Sequence, residues 1–494
     1  MNTVAIVGGG YAGVACAIHL ARAAAERLRI VLIEPSAEPG RGLAHASPHP
    51  DHRLNGQPNV HSLYPEAPLH FEQWMSESGT LARDPAALTP AGAIYARRAD
   101  FGRYANEQFR ACMAANPSGS TVEHWRARVT AIDAASRSLT LDDGRRLPVT
   151  AAMLALGWNA CSLPRELSAF ADDPRCIADP WQHERVAAID RDASVLIVGT
   201  GLTSLDLIAS LSAQSHRGPV IALSRKGQQP PVQTSERSPI RSVWDTLLAP
   251  DQPFVQRYGL PPTLRQALRC WHAERERLRV LGQPELLAFD AVRDSVRLFW
   301  PLWSSADKRR FARHLKSRYD LIRYRSPPQT RAIVDRMLAS GQLRIVAGRL
   351  AESRRTGLRM PVRYIPREEH GARDRAGAPD PSGPAGALLE VDALINCTGP
   401  QPRPSRSDNP LWRSLIADGL ARDHPSGLGI DVDGGSRIID RAGQPVDWLF
   451  ATGPITLGQF GEISAVPQIT FRVLAWTAEF AGRIPSLAKD SPNR

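Results

Sequence analysis

The stretch that decides the fold is Val4-Ala5-Ile6-Val7-Gly8-Gly9-Gly10-Tyr11-Ala12-Gly13-Val14. Four apolar residues, the pattern of a buried parallel strand, run into glycines at 8, 10 and 13 in G-x-G-x-x-G spacing. Residues 14–28 then read as a helix, and a second apolar run, Ile30–Ile33, ends at Glu34. Gly8 permits the tight turn after the strand, Gly10 lets backbone approach a pyrophosphate, and Gly13 lets helix and strand pack closely. The helix N-terminus offers unpaired N–H groups and a positive dipole end to phosphates. Glu34, 21 residues beyond Gly13, can accept hydrogen bonds from ribose hydroxyls but would repel a 2′-phosphate. The unit therefore predicts FAD or NAD rather than NADP, and its glycines alone do not choose between those two.

A related pattern lies mid-chain. Val195-Leu196-Ile197-Val198 leads into Gly199-Thr200-Gly201-Leu202-Thr203-Ser204, and a helix continues through Leu205–Leu211. Ser204 replaces the third glycine; serine is small enough for fairly close packing. The next candidate strand, Pro219–Leu223, runs into Ser224, Arg225 and Lys226. Cations at this strand end can neutralise a 2′-phosphate, so this unit is assigned to NADPH, with Arg225 the principal contact and Lys226 beside it. NADH fits the basic end poorly, and a degenerate repeat that binds nothing is the alternative. Opposite charges at the two strand ends leave FAD as the best occupant of the first unit and imply hydride transfer from nicotinamide to flavin.

Composition bounds the remaining possibilities. The 494 residues fit two domains, or three if one is small, and 43% hydrophobic content supports a substantial core. The net charge of +11 comes from arginine, since only four lysines occur. A basic surface can attract nucleic acid, but no zinc finger, RRM signature or GXXG loop supports that partner. Six scattered cysteines without a C-x-x-C pair fit a reducing, cytoplasmic setting and disfavour a disulfide reductase. No apolar run is long enough for a membrane span, no signal peptide is read at the N-terminus, and no Gly-x-Ser-x-Gly occurs. His45, His49, His52 and His61 are close in sequence, but their proline-rich setting favours loop roles over metal ligation.

Beyond the two turns, the sequence resembles the two-dinucleotide-binding flavoproteins, and is most similar to bacterial FAD-NAD(P)-binding proteins. Flavin-dependent monooxygenases and N-hydroxylases are more distant relatives. The resemblance rests on Pro39–Ala44, His52–Asn55, His70–Trp74, Arg98–Tyr104, Asp179–Trp181, Ser224–Gly227, Ala451–Pro454 and Gly458–Gln468. It implies an α/β fold with two Rossmann-like dinucleotide-binding domains, the FAD domain discontinuous and the NADPH domain inserted. The expected segments are 1–190 (FAD, first part), 191–350 (NADPH, with an arginine-rich helical segment) and 351–494 (FAD, closing part). Met153–Gly157 and Ala393–Gly399 resemble the strand-plus-glycine segments at the crossings; Ala155-Leu156-Gly157 stands where many relatives carry Ala-Thr-Gly. The resemblance carries cofactor-binding roles onto Gly453, Gly458, Ala465 and Val466, and places adenine near the Val129 backbone. Glu462 is either catalytic or a loop holder. His52 and Asn55 either orient substrate or flavin, or cap a loop.

The activity implied is an NADPH-dependent monooxygenase that oxygenates a small molecule through a flavin C4a-(hydro)peroxide, with molecular oxygen as co-substrate. N-hydroxylation enters through the distant relatives. A flavin-dependent dehydrogenase or reductase, and a redox-sensing or interaction protein, are the alternatives; an acidic substrate and a homo-oligomer are both compatible. Residues 120–149, with the Leu141–Arg145 turn, predict a hairpin, and the stretch resembles the small sheet that such proteins insert in the FAD domain. Ala306–Tyr319 predicts one amphipathic helix whose arginines mark a solvated face, with anion recognition as the alternative. Residues 228–250 predict a loop over the nucleotide, and 365–387 a surface loop rich in Gly, Pro, Asp and Arg.

Overall fold

The computed structural model describes residues 1–238, 247, 252–355, 357, 359–367 and 386–489. Its first strands are β1 (Asn2–Val7), β2 (Leu28–Ile33), β3 (Thr121–Trp125), β4 (Val129–Asp133), β5 (Ser138–Leu141), β6 (Arg146–Pro148) and β7 (Ala151–Leu154). There follow β8 (Cys176–Ile177), β9 (Val195–Val198), β10 (Val220–Ser224), β11 (Leu343–Leu350), β12 (Met360–Pro366), β13 (Ala387–Val391), β14 (Ala393–Asn396), β15 (Arg437–Ile439) and β16 (Pro445–Ala451). They form a six-stranded sheet, β15-β16-β7-β1-β2-β3, a seven-stranded sheet, β13-β12-β11-β10-β9-β14-β8, and a three-stranded sheet, β4-β5-β6. The first two are Rossmann-like: β1 is parallel to β2 and β7, and β9 is parallel to β10 and β14.

The apolar runs become strands because both sheet faces are covered, so alternate residues enter different cores. Val4 and Ile6 enter one core while Ala5 and Val7 enter another. Val195 and Ile197 likewise separate from Leu196 and Val198. The helices that matter for the site are α1 (Tyr11–Ala23), α2 (Arg98–Ala114) and α3 (Leu202–Ala213). An arginine-rich helical layer follows, with α4 (Leu264–Val280), α5 (Leu286–Phe299), α6 (Ser305–His314) and α7 (Lys316–Arg323). Helix α8 (Val466–Lys489) closes the chain and packs along α1. The helical layer shares a core with the first sheet's helices, where Phe299 and Trp300 join Leu457, Ile463 and Val466.

Several expectations change. The first sheet takes strands from both ends of the chain, and the second runs from Cys176 to Asn396, so the divisions at 190/191 and 350/351 pass through the second sheet. Residues 121–125 leave the expected small sheet: β3 lies parallel to β2, with Trp125 opposite Ile33, and only 129–148 form the antiparallel sheet. The single helix expected over 306–319 is two, because Leu315, at φ −119°, breaks α6 from α7. Residues 368–385, 239–246 and 248–250 of the two expected loops lie outside the described residues. Among the described residues no helix is long and apolar enough to cross a membrane.

Candidate functional site

Strand register brings the first site together. Val7 stands opposite both Ile33 and Leu154, and Leu154 opposite Ala451. The residues that follow these four, Gly8, Glu34, Ala155 and Thr452, therefore converge at one end of the sheet. This is the crevice beyond the carboxyl ends of parallel strands, where open α/β sheets bind ligands.

The three motif glycines are required for different reasons. Gly8 has φ +100°, and a Cβ there would lie 2.6 Å from the Ala155 carbonyl oxygen. At Gly13 a Cβ would fall 1.9 Å from the Gly8 carbonyl oxygen, so the position secures helix–strand packing. At Gly10 the nearest atom to a Cβ is Gly42 Cα at 3.6 Å, so a Cβ would fit in ordinary contact and the backbone of Gly42 lies alongside. Gly10 is also the N-cap of α1. A helix N-terminus suits a pyrophosphate. Glu34 Oε2 accepts the Gly9 N–H at 2.7 Å and Oε1 the Ser36 N–H at 2.9 Å. These two bonds fix the carboxylate yet leave lone pairs for ribose hydroxyls. Val129 opens β4 shortly after Trp125, whose carbonyl accepts the Glu34 N–H at 3.0 Å.

The closing segment returns to this turn. Gly453 has φ +83°, and its Cβ direction points at Ala12 Cβ, 3.5 Å away. Helix α8 begins at Val466, with Ala465 accepting the Ile469 N–H, and the Thr470 hydroxyl meets Tyr11 Oη. The side chain of Tyr11, the first residue of α1, thus reaches the first turns of α8, which Ala465 and Val466 begin. Gly458 is a glycine for a packing reason: a Cβ would collide with the His424 ring at 2.4 Å. Its carbonyl accepts the Trp300 indole N–H at 2.9 Å.

The second site repeats the arrangement. Val198 lies opposite Leu223 and Asn396, so Gly199, Ser224-Arg225 and Cys397 gather at one sheet end. Gly199, at φ +124°, is pressed against the Cys397 carbonyl, whereas nothing lies within 4 Å of a Cβ built at Gly201, the N-cap of α3. Ser204 is fully buried, as close packing at the third position requires. Arg225 and Lys226 are exposed, and among the described residues neither has a recorded ion-pair partner. Both are free to meet an anion. The two crossing segments lie side by side, with Asn396 Nδ2 donating to Ser162 O at 3.2 Å and Asn159 Nδ2 to Gln401 O at 3.1 Å.

Three candidate residues face the inserted segment. Glu462 accepts from the Tyr319 hydroxyl and from Arg323 Nε at 3.2 Å, with the Arg323 and Glu462 side chains 12% and 7% exposed. Burial beside the Glu462 carboxylate drives the Tyr319 hydroxyl well above its ordinary range. His52 is buried, and its Nε2 lies 2.9 Å from Asp206 O and 2.8 Å from Ser210 Oγ on α3. The Asn55 carbonyl accepts from Gln233 Nε2. The helical layer's arginines divide: Arg309, Arg310 and Arg313 are exposed, while Arg293 and Arg325 pair with Asp290 and Arg323 with Glu462. The first three lie within 306–319, the stretch read as a solvated face, whereas Arg293 on α5, Arg323 at the end of α7 and Arg325 just beyond it lie outside that stretch and turn to carboxylates.

Sequence reasoning missed Asp206, Ser210, Tyr319 and Arg323. The one available signal was Asp206, a lone acid within the otherwise apolar run Leu205–Ala209. A cavity of about 400 Å³ opens beside the C-terminal half of α1, lined in part by Ile18, Tyr64, His70 and Cys112. It lies away from both glycine turns.

Residues 5–159 match the FAD-NAD(P)-binding family. No curated protein matches the sequence. Among solved structures, the ornithine hydroxylase of Pseudomonas aeruginosa is 15% identical, with 99% of each chain covered and a TM-score of 0.58. The ornithine N-hydroxylase of Kutzneria sp. 744 is 14% identical, covering 98% of this chain and 99% of that one, with a TM-score of 0.61. The L-lysine 6-monooxygenase of Pseudomonas syringae is 16% identical, with the same coverage and TM-score. The chain therefore has the two-domain fold of FAD-dependent oxidoreductases, and its first unit is an FAD-NAD(P)-binding domain.

Proposed function

We propose that the protein is an NADPH-dependent flavin monooxygenase that oxygenates a small molecule. The observation that carries this reading is the pair of glycine turns, each leading into a helix N-terminus capped by glycine, whose neighbouring strands end in opposite charge. Glu34 follows β2 in the first unit, and Arg225 and Lys226 follow β10 in the second. The fold shared with ornithine and lysine hydroxylases supports oxygen insertion over simple reduction. N-hydroxylation of a small amine or amino acid is its finer form.

The chain's own residues supply binding and orientation. Backbone N–H groups at the start of α1 hold the FAD pyrophosphate in the space beside Gly10, and Glu34 accepts from its ribose. The start of α3 holds the NADPH pyrophosphate beside Gly201, and Arg225 with Lys226 neutralises the 2′-phosphate. FAD held there would supply the two-electron redox chemistry linking a nicotinamide reductant to oxygen. Glu462, held by Tyr319 and Arg323, secures the closing segment against the helical layer, and that contact helps exclude water.

Anaerobic mixing of the purified flavoprotein with NADPH should bleach the flavin absorbance. Admission of ¹⁸O₂ with a panel of small amines and amino acids should then give a product carrying one labelled oxygen. Failure of NADPH to bleach the flavin overturns the reading. Bleaching and reoxidation with substrate turnover but no labelled product would favour a reductase.

A further inference from the structure

The loop from Gly40 to Leu54 reaches from the first glycine turn to α3, the helix that follows the second glycine turn. At its start the Gly40 N–H donates to the Gly9 carbonyl at 2.7 Å, inside the first turn. Near its end stands His52, 1% exposed, with Nδ1 2.6 Å from Ser47 Oγ and Nε2 against Asp206 O and Ser210 Oγ. A carbonyl can only accept, so Nε2 carries the proton and Nδ1 accepts from the Ser47 hydroxyl. Burial lowers the ring's pKa to about 3, which keeps this tautomer neutral.

The same region carries a buried ion pair. Arg98, the first residue of α2, donates its backbone N–H to the His52 carbonyl at 2.8 Å. Its guanidinium meets the Asp206 carboxylate at 2.9 Å, with side-chain exposures of 12% and 7%. His49 and His183 also face Asp206. Helix α2 is pressed onto the loop itself: a Cβ on Gly102 would stand 2.6 Å from the His45 carbonyl oxygen. Asp206 lies in the second turn of α3, just beyond the N-cap Gly201. The loop thus touches the first glycine turn at Gly40 and the body of α3 at Asp206 and Ser210, with Arg98 of α2 bonded to both His52 and Asp206.

Apolar packing alone could hold two domains together, but it is tolerant of sliding. A buried ion pair contributes little net stability and penalises any arrangement that separates its charges. Hydride transfer demands such a restriction, because the reacting atoms must approach to about 3–3.5 Å and a misplacement of about 1 Å can cost on the order of a hundredfold in rate.

We propose that Arg98, Asp206 and His52 are positioning residues that strap the two nucleotide turns at a fixed separation and so align nicotinamide with flavin. The proposal rests on the reading of the second turn as the NADPH site. It is tested on the FAD-loaded protein with R98Q, D206N, the double variant, and S210A as a milder perturbation. R217Q, in the exposed Arg217–Asp192 pair, is the control.

FAD content and NADPH Kd should stay within about threefold of wild type. The limiting anaerobic rate of flavin reduction should fall about 10- to 100-fold in R98Q and D206N, less in S210A, and not at all in R217Q. The double variant should be no slower than the worse single, because the pair acts as a unit. Hydrogen exchange should show 47–54 and 202–213 losing protection together. Wild-type limiting rates in both R98Q and D206N, or exchange changes confined to one segment, would overturn the strap. If neither nicotinamide reduces the wild-type flavin, the NADPH reading fails instead. The exchange measurement then decides the strap on its own, and independent behaviour of the two segments overturns it.

Discussion

Replacing Arg225 by alanine tests the charge logic of the second site. Arg225 directly follows β10, is exposed, and has no ion-pair partner among the described residues, so its removal breaks no ion pair there. A charge-assisted hydrogen bond to phosphate contributes about 1.5–3 kcal/mol, but exposed pairs are worth about 0.2–1 kcal/mol. An exposed arginine on a doubly charged phosphate belongs between these ranges, at about 1.4 kcal/mol, which is about tenfold in Kd. R225A should therefore weaken NADPH about tenfold and the R225A/K226A pair by up to about a hundredfold. NADH, which lacks the 2′-phosphate, should change less than about twofold. Raising ionic strength should erode the wild-type preference for NADPH, because an exposed pair is screened over about 8 Å at physiological salt. Flavin reduction titrated anaerobically with each nucleotide gives both constants. Equal losses for NADPH and NADH would refute the assignment.

Further expectations follow from the same geometry. Gly10→Val should give a protein that purifies without FAD, because a branched side chain at the N-cap of α1 would occupy the space proposed for the pyrophosphate; normal flavin absorbance would reject that placement. Gly13→Ala, whose Cβ would fall 1.9 Å from a carbonyl oxygen, should instead lower the thermal midpoint of the apoprotein or prevent folding, and an unchanged midpoint would reject the packing role. Glu462→Gln should cost about 3 kcal/mol, since it leaves the Arg323 guanidinium buried without its counter-charge, and R323M/E462L should recover much of that loss; an unmoved urea midpoint in E462Q would contradict this. Buried His52, His61 and His424 have pKa values lowered by desolvation to about 3, 4 and 4. Their folded values lie below the unfolded one near 6.5, so the unfolded chain binds more protons between about pH 6.5 and 4 and stability falls as pH drops through that window. Near pH 5 the slope from these three should approach about 4 kcal/mol per pH unit, read from urea midpoints between pH 7 and 5, and a flat profile would contradict the burial.

The acid side chains show how differently two carboxylates can be legible. Glu34 announces itself, because its position is fixed by counting along one strand–turn–helix–strand unit. Asp206 and Glu462 are paired with residues 108 and 139 positions away, and no local pattern names such partners. Arg323 illustrates the same limit from the other side. On an amphipathic helix an arginine that faces water and one that faces a buried carboxylate have the same sequence spacing. Only the break at Leu315 and the docking of α7 on the closing segment separate them.

The two glycine turns, the strand-end charges and the Rossmann-like class of both units were legible along the chain. These are short-range properties: backbone freedom at Gly8 and Gly199, alternating burial along β1 and β9, and cap geometry at α1 and α3 all act within about thirty residues. The tertiary structure decided what lies between the turns. It moved β3 to the edge of the first sheet, drew β8 and β14 into the second, and set Arg98 against Asp206 and Arg323 against Glu462. The physical reason is that periodicity specifies which face of an element is buried, while the identity of the partner depends on how distant elements pack.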